Sequence, residues 1–410
     1  MNAPDPREAF LATMGRELHR AGIATDAIEE SLTQLARSVG LQAQVFALPT
    51  YITIALGPDW NQRTVMMRLD PGRVSLRKIA LLNEIYDRLR GGRIDFEAAT
   101  KLLDEVDVRW PGLPAWYEIP ALTLIAIGVA LILGGGPREL GVSATIGFVT
   151  GALSVVASRS PVVTRLFDVV AAFLATLIVA AFIHFVGPTN VYVSIVAGIV
   201  VLLPGYTLTL ALHELANDFL VAGMARLGKV LAVLLALGCG AFLALAMVPS
   251  LLRGGALHTH PVSATWWFVA SVCLAIGMSI DLDARLRDVA WVFAASFVAL
   301  LCTHVLSATS AHAVAPFIAA FICGMVANVG ARFLRVPQAI MLVPALIVLV
   351  PGSLSYESLL FAFTDDVNGA LILAGNAIVA AIQLVAGLLL SQLVLPASAL
   401  RLRQGSRQVR

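Results

Sequence analysis

The sequence predicts a polytopic α-helical membrane protein of about ten transmembrane helices, arranged as two inverted five-helix repeats, with a small N-terminal cytosolic α+β domain. Three observations predict it. The 410 residues are 59% hydrophobic and only 13% charged, with a mean hydropathy of +0.86, too apolar for a soluble chain of this length. The charges are segregated, since residues 1–115 hold 14 of the 28 Lys and Arg and 15 of the 26 Asp and Glu. The apolar remainder repeats itself at an offset of 147 residues. A net charge of +2 supplies no basic field for nucleic acid. Cys239, Cys273, Cys302 and Cys323 sit in apolar runs without paired spacing and are expected as free buried thiols. No basic stretch followed by an apolar one opens the chain, so a cleaved signal peptide is not expected.

Within residues 1–115, helical periodicity covers Ala9 to Ala21 and Asp26 to Val39, with Thr25 as the expected N-cap and Glu29 and Glu30 in the first turns. Gln44–Leu48, Tyr51–Leu56 and Arg63–Leu69 are short, rich in Val, Ile, Thr and Met, and separated by Pro49 and by Gly57-Pro58, which reads as three strands. Helix returns over Ser75–Leu89 and Asp95–Val106, capped by Ser75 and Asp95. This domain carries no Gly-rich phosphate loop, no Cys/His cluster and no G-x-S-x-G.

From Trp116 the chain offers ten apolar runs of roughly bilayer-crossing length: 116–134, 140–157, 165–186, 190–213, 226–252, 263–280, 288–307, 312–331, 336–356 and 370–396. Trp116, Tyr117, Trp266 and Trp267 mark span ends, where interfacial aromatics belong. An N-terminus inside puts Arg159, Arg165, Arg226, Lys229, Arg285, Arg287, Arg332, Arg335, Arg401, Arg403, Arg407 and Arg410 on the cytoplasmic side, leaving only Arg138 and Arg253 outside. Both termini are therefore expected in the cytoplasm of a cell with the protein in its inner or plasma membrane, and 397–410 is a basic cytosolic tail.

Slid by 147 residues, Val201-Leu202-Leu203-Pro204-Gly205 falls on Val348-Leu349-Val350-Pro351-Gly352. Gly228 falls on Gly375, Gly240 on Gly387 and Pro249 on Pro396 without a gap. Matched Gly and Pro carry the inference, because Val and Leu coincide cheaply in membrane sequences. The repeats are 116–252 and 263–396. Five spans is an odd number, so the second repeat enters the membrane in the opposite sense, the design of many secondary transporters.

The stretch Leu202–Arg226 interrupts a span. Pro204 lacks an amide donor and Gly205 any side-chain restraint, so the helical ladder should break and free backbone groups at membrane depth, tolerable only beside a cavity or other protein. Thr207 and Thr209 follow, then His213, Glu214, Asn217 and Asp218 at spacings that place them on one flank of the resumed helix, a candidate polar path. His213-Glu214 opens an H-E-x-x-H-like string, but Asn217 stands where the second zinc ligand would, which argues against a metalloprotease; no metal site and no enzyme is expected. His258-Thr259-His260 reads as an outer loop.

These residues resemble the signature of the threonine/serine exporter family (ThrE): Leu203-Pro204-Gly205, Thr209, Glu214 and Gly223-Met224-Ala225-Arg226-Leu227. Similarity extends to Leu18-His19-Arg20-Ala21-Gly22, Thr25, Glu29, Ala47-Leu48-Pro49-Thr50, Ser75-Leu76-Arg77-Lys78-Ile79, Leu103-Asp104-Glu105 and, in the second half, Val350-Pro351-Gly352-Ser353. Tyr51 departs from it, since relatives more often place a small residue there. The resemblance implies export of small hydroxylated amino acids driven by the proton gradient, with no other cofactor. Its partners would be the amino acid and the lipid bilayer, with homo-oligomerisation left open.

On the residues, a zwitterion's carboxylate suits the half-helix that starts after Gly205, and Thr207, Thr209 and Ser353 offer hydroxyls to a side-chain OH, beside Pro204, Pro351 and Gly352. Ionisable groups in spans are few and functional. Glu214 is the favoured proton carrier, with Asp168 and Asp218 as rivals; His184 and His304 fall near outer ends and Asp365 and Asp366 before the tenth span. Asp168 pairing with Arg165 is an alternative for that residue, and a solvated loop an alternative for Glu214 and Asp218. The competing reading of the whole is a membrane sensor signalling through its cytosolic domain.

Overall fold

A computed structural model describes residues 5–58, 61–69, 72–248, 264–307, 309, 312–334, 336–349, 352, 356–358 and 367–396. Its N-terminal part begins with helices α1 (Pro6–Arg20) and α2 (Thr25–Ser38). Strands β1 (Ala43–Leu48), β2 (Tyr51–Leu56) and β3 (Arg63–Arg68) form an antiparallel meander in the order β1-β2-β3, with Leu48 opposite Tyr51 at the first turn. Alternation on β2 buries Ile52, Ile54 and Leu56 against Phe10, Met14 and Leu32, while Phe46 and Met66 stay exposed. Helices α3 (Leu76–Arg90), α4 (Phe96–Asp104) and α5 (Val106–Arg109) follow. Ser75 and Asp95 cap as expected, their side chains accepting from Lys78 N–H and Ala98 N–H. Thr25 is not the N-cap of α2; Ala24 is, and it offers no side-chain oxygen.

The apolar remainder forms α6 (Glu118–Ile132), α7 (Pro137–Ala157), α8 (Pro161–Phe185), α9 (Val191–Ile199), α10 (Gly205–Ala216), α11 (Leu220–Met247), α12 (Ala264–Asp281), α13 (Val289–Ser307), α14 (Ala315–Val329), α15 (Gln338–Leu349) and α16 (Val367–Val394). Among the described residues, seven helices are long and apolar enough to cross a bilayer, and the bent pair Val191–Leu202 with Gly205–Ala216 makes an eighth if it is one span. The chain is thus a polytopic helical membrane protein. The predicted spans 263–280 and 336–356 correspond to shorter apolar helices, Trp266–Asp281 and Gln338–Leu349. Leu231, Leu235, Ile378 and Ile382 are exposed large apolar side chains, as a lipid-facing surface requires.

The described helix bounds repeat at the offset seen in the sequence. Val191–Leu202 corresponds to Gln338–Leu349, and the 28-residue α11 to the 28-residue α16. Close approaches repeat as well. A side chain at Gly240 would strike the Val169 carbonyl on α8, and one at Gly387 the Phe317 carbonyl on α14. Between α6 and α12 the contact is reciprocal: Gly128 faces Ala270 and Leu274, and Gly277 faces Ala121 and Ile125. Small residues at these positions let the backbones approach closely.

The N-terminal elements and the helical body share one apolar core, in which Leu76 and Ile79 are continuous with Leu282, Val336 and Ile340. Polar contacts fix the same junction. Leu76 N–H and Arg77 N–H donate to the carbonyls of Leu282 (2.9 Å) and Asp283 (3.0 Å), and Arg77 pairs with the Asp283 carboxylate at 2.7 Å. Arg73 bridges Glu118 and Asp281.

Candidate functional site

The helix entering at Val191 breaks at Pro204, and α10 resumes with a 56° change of direction. The break follows from Pro204, which cannot donate, and Gly205, whose amide folds back onto the Leu203 carbonyl at 2.8 Å. Tyr206 and Thr207 then occupy the first turn, where a helix has no acceptors of its own for its amides. Gly352 lies against this break. A Cβ on Gly352 would stand 3.2 Å from Leu203 Cβ and 3.5 Å from both the Cα and the nitrogen of Gly205. Gly205 and Gly352, matched by the repeat, are therefore neighbours. Pro351 and Ser353, together with Asp365 and Asp366, lie outside the described residues.

A cavity of about 770 Å³ lies between the N-terminal elements and the helices after the break; Tyr206 lines it, whereas Pro204, Gly205 and Gly352 do not. Its walls are α2, with Asp26, Glu29 and Glu30; α10, with Tyr206, Thr209, His213 and Asn217; and α15 and α16, with Gln338 and Gln392. Thr209 is 1% exposed, and among the described residues its Oγ1 has no hydrogen-bond partner. Thr207 does not line the cavity. Gln338 is held by a buried amide chain, its Nε2 donating to Asn328 Oδ1 at 2.7 Å while Asn328 Nδ2 donates to the Ser391 carbonyl at 3.1 Å.

Glu214 is fully buried but is not the isolated carboxylate expected. Arg226 Nε donates to both its oxygens at 2.9 and 2.8 Å, and Thr25 donates to Oε1 from its hydroxyl (2.6 Å) and its amide (3.2 Å). Glu214 thereby caps α2 in trans, supplying the oxygen that Ala24 lacks. The close α10–α11 hairpin brings Arg226 into reach, and it depends on Gly223, where a Cβ would meet Leu215 and the Ala211 carbonyl.

The expected single polar flank is not formed. Helix α10 ends at Ala216, and Asp218 is an exposed turn residue with φ of 65°, while Glu214 is buried. His213 and Asn217 do stay together, with Asn217 Nδ2 3.1 Å from His213 Nε2. The same Nε2 lies 3.3 Å from Asp26 Oδ2, across the junction between α10 and α2. Burial opposes ionisation of Asp26, but the His213 contact, a hydrogen bond from the Ala27 backbone and the charge of Arg226 together hold this carboxyl below its usual range. Asp168 is half-buried on α8, does not line the cavity, and has Lys229 rather than Arg165 as its charged neighbour. All four cysteines are free, but Cys239 is exposed and Cys273 and Cys302 are half-buried, against the expectation of buried thiols that Cys323 meets. His258 and His260 lie outside the described residues.

Asp26, Tyr206, Gln338 and Asn328 were not singled out in the sequence. For Asn328 and Gln338 the signal was available, since carboxamides inside apolar runs are expensive unless partnered. Asp26 looks like an ordinary first-turn acid until α2 is placed against α10.

A family model described as "Putative threonine/serine exporter" matches residues 9–248, and one described as "Threonine/Serine exporter, ThrE" matches residues 263–394. "Pheromone-regulated membrane protein 10" of Zygosaccharomyces rouxii is 24% identical over 381 residues, covering 88% of this chain and 38% of that protein. Its namesake in Eremothecium gossypii is 24% identical over 392 residues, covering 91% of this chain and 52% of that protein. "Probable threonine/serine exporter" of Mycobacterium tuberculosis is 25% identical over 375 residues, covering 87% of this chain and 69% of that protein. The chain thus spans about a third to a half of the length of the fungal relatives it matches. No solved structure matches it.

Proposed function

Because the chain belongs to the threonine/serine exporter family, we propose that it exports small hydroxylated amino acids in exchange for protons, through a site formed where its two broken helices meet. The observation that carries this reading is the contact of Gly352 with Gly205, with the cavity beside it. Two interruptions 147 residues apart in sequence have no reason to touch in a protein where each is merely a kink. In an inverted-repeat carrier they must, because the site forms between the paired half-helices.

Ten spans in two inverted five-helix repeats account for the repeated bounds and for the reciprocal α6–α12 contact, which relates the halves by a near two-fold. The N-terminal elements touch the α10–α11 turn, through Glu214 and His213, and the α12–α13 loop, through Asp283. Both connections fall on the side the arginine count assigns to the cytoplasm, which supports cytoplasmic termini and a cavity facing inward.

The amides of the α10 first turn, at the positive end of its dipole, are suited to the substrate carboxylate. The carbonyl ends of the segments leading to Leu202 and Leu349 are suited to its ammonium. Thr209, buried and unpartnered at the cavity wall, supplies a hydroxyl to the substrate's OH. Glu214 acts in this reading as the latch that holds α2. Counterflow of labelled L-threonine in proteoliposomes tests the proposal: exchange that L-serine competes and L-leucine does not supports it, and no exchange above empty vesicles refutes it.

A further inference from the structure

The cavity wall contains one acid–base pair contributed by two different parts of the chain. Asp26 comes from the first turn of α2 and His213 from the last turn of α10, with Oδ2 and Nε2 3.3 Å apart. Each keeps a second polar atom buried and without a partner among the described residues, Asp26 Oδ1 and His213 Nδ1. Buried polar atoms normally find partners, and these two, on adjoining side chains, remain available for a further polar contact. The charged neighbours do not fill it. On α10 and α11, Glu214 and Arg226 satisfy each other. On α2, Glu29 accepts from Ala47 N–H at 2.7 Å, Glu30 accepts from Gln34 at 2.7 Å, and Arg37 lies further along the helix. Tyr206 faces the cavity from the start of α10, and α15 and α16 present only the uncharged Gln338 and Gln392.

The geometry points to His213 and Asp26 as the proton-binding site that couples export to the proton gradient, with the N-terminal segment supplying half of it; this rests on the exporter reading above. An imidazole here that accepts a proton becomes an imidazolium matched to the Asp26 carboxylate. Separation of α2 from α10 takes the carboxylate away, so an imidazolium at this position is matched by a counter-charge only while the junction is closed. Occupancy by a proton and closure of the α2–α10 junction are then linked, which antiport requires. The N-terminal segment then becomes part of the transport cycle.

The test uses the full chain in proteoliposomes with labelled L-threonine as the probe. His213→Gln and Asp26→Asn are expected to keep counterflow within about threefold of wild type, yet lose gradient-driven accumulation by at least about tenfold. Their exchange rates should vary less with pH than those of the wild type. Accumulation at the wild-type level in either variant overturns the assignment. Loss of counterflow in both also overturns it, since the pair would then serve substrate binding or folding. Absent counterflow in the wild type itself overturns the exporter reading first, so the two failures are distinguishable.

Discussion

Gly352 packs against Gly205, leaving a Cβ on Gly352 only 3.2 Å from Leu203 Cβ. Neither neighbour at this contact is the flexible end of a long side chain, so a larger residue has to displace the break itself. Gly352→Leu should therefore alter the site without touching the apolar outer faces that drive insertion. The expected outcome is a normally inserted protein with threonine exchange reduced at least about tenfold, checked by membrane fractionation alongside counterflow.

Glu214 and Arg226 form a buried ion pair that also caps α2. Removing one partner leaves an uncompensated charge, which costs about 3–5 kcal/mol in such pairs. Glu214→Gln keeps the shape and part of the hydrogen bonding, and Arg226→Met keeps neither. Thermal unfolding in detergent should show a modest loss for the first and a large one for the second. The N-terminal elements should also become sensitive to protease in Arg226→Met before the helical body does.

His19 adds a pH dependence to the same elements. Burial, together with the nearby positive charge of Arg226, holds its imidazole below the ordinary range, against the hydrogen bonds from its ring to the backbone at Leu48 and Pro49. A depressed folded-state pKa means that the unfolded chain binds the proton more tightly. The stability contributed is whole above about pH 6.5, the unfolded value, and is lost as pH falls through the lower folded value. Melting temperature should drop between pH 7.5 and 5.5 in the wild type. The drop should shrink in His19→Gln, measured in detergent at constant ionic strength.

The repeat makes a paired prediction. Gly240 and Gly387 each press on the neighbouring helix's backbone, at Val169 and Phe317. If the halves are structurally equivalent, Gly240→Leu and Gly387→Leu should impair folding to a similar degree. Fluorescence-detected size-exclusion profiles compare them directly, and a variant with no effect beside one that aggregates would break the equivalence.

Most of this architecture was legible in the chain. Apolar length marked the membrane helices, because it is a local, one-dimensional signal. Ser75 and Asp95 caps and the β1-β2-β3 meander were legible for the same reason. What eluded it was tertiary. Glu214 looks like a lone acid in a span until Arg226 is folded back beside it and Thr25 arrives from 189 positions away. Asp218 looks helical until the turn gives it a positive φ. Asp26 acquires its partner only when α2 docks, which no periodicity in α2 encodes.

The account stands on the paired breaks acting as one site, and Gly205→Leu tests that most directly. In proteoliposomes reconstituted to equal density, labelled L-threonine counterflow should fall to the level of empty vesicles while the purified variant keeps the wild-type elution profile. Counterflow equal to wild type, in a variant whose break at Pro204 is filled by a leucine, would contradict it.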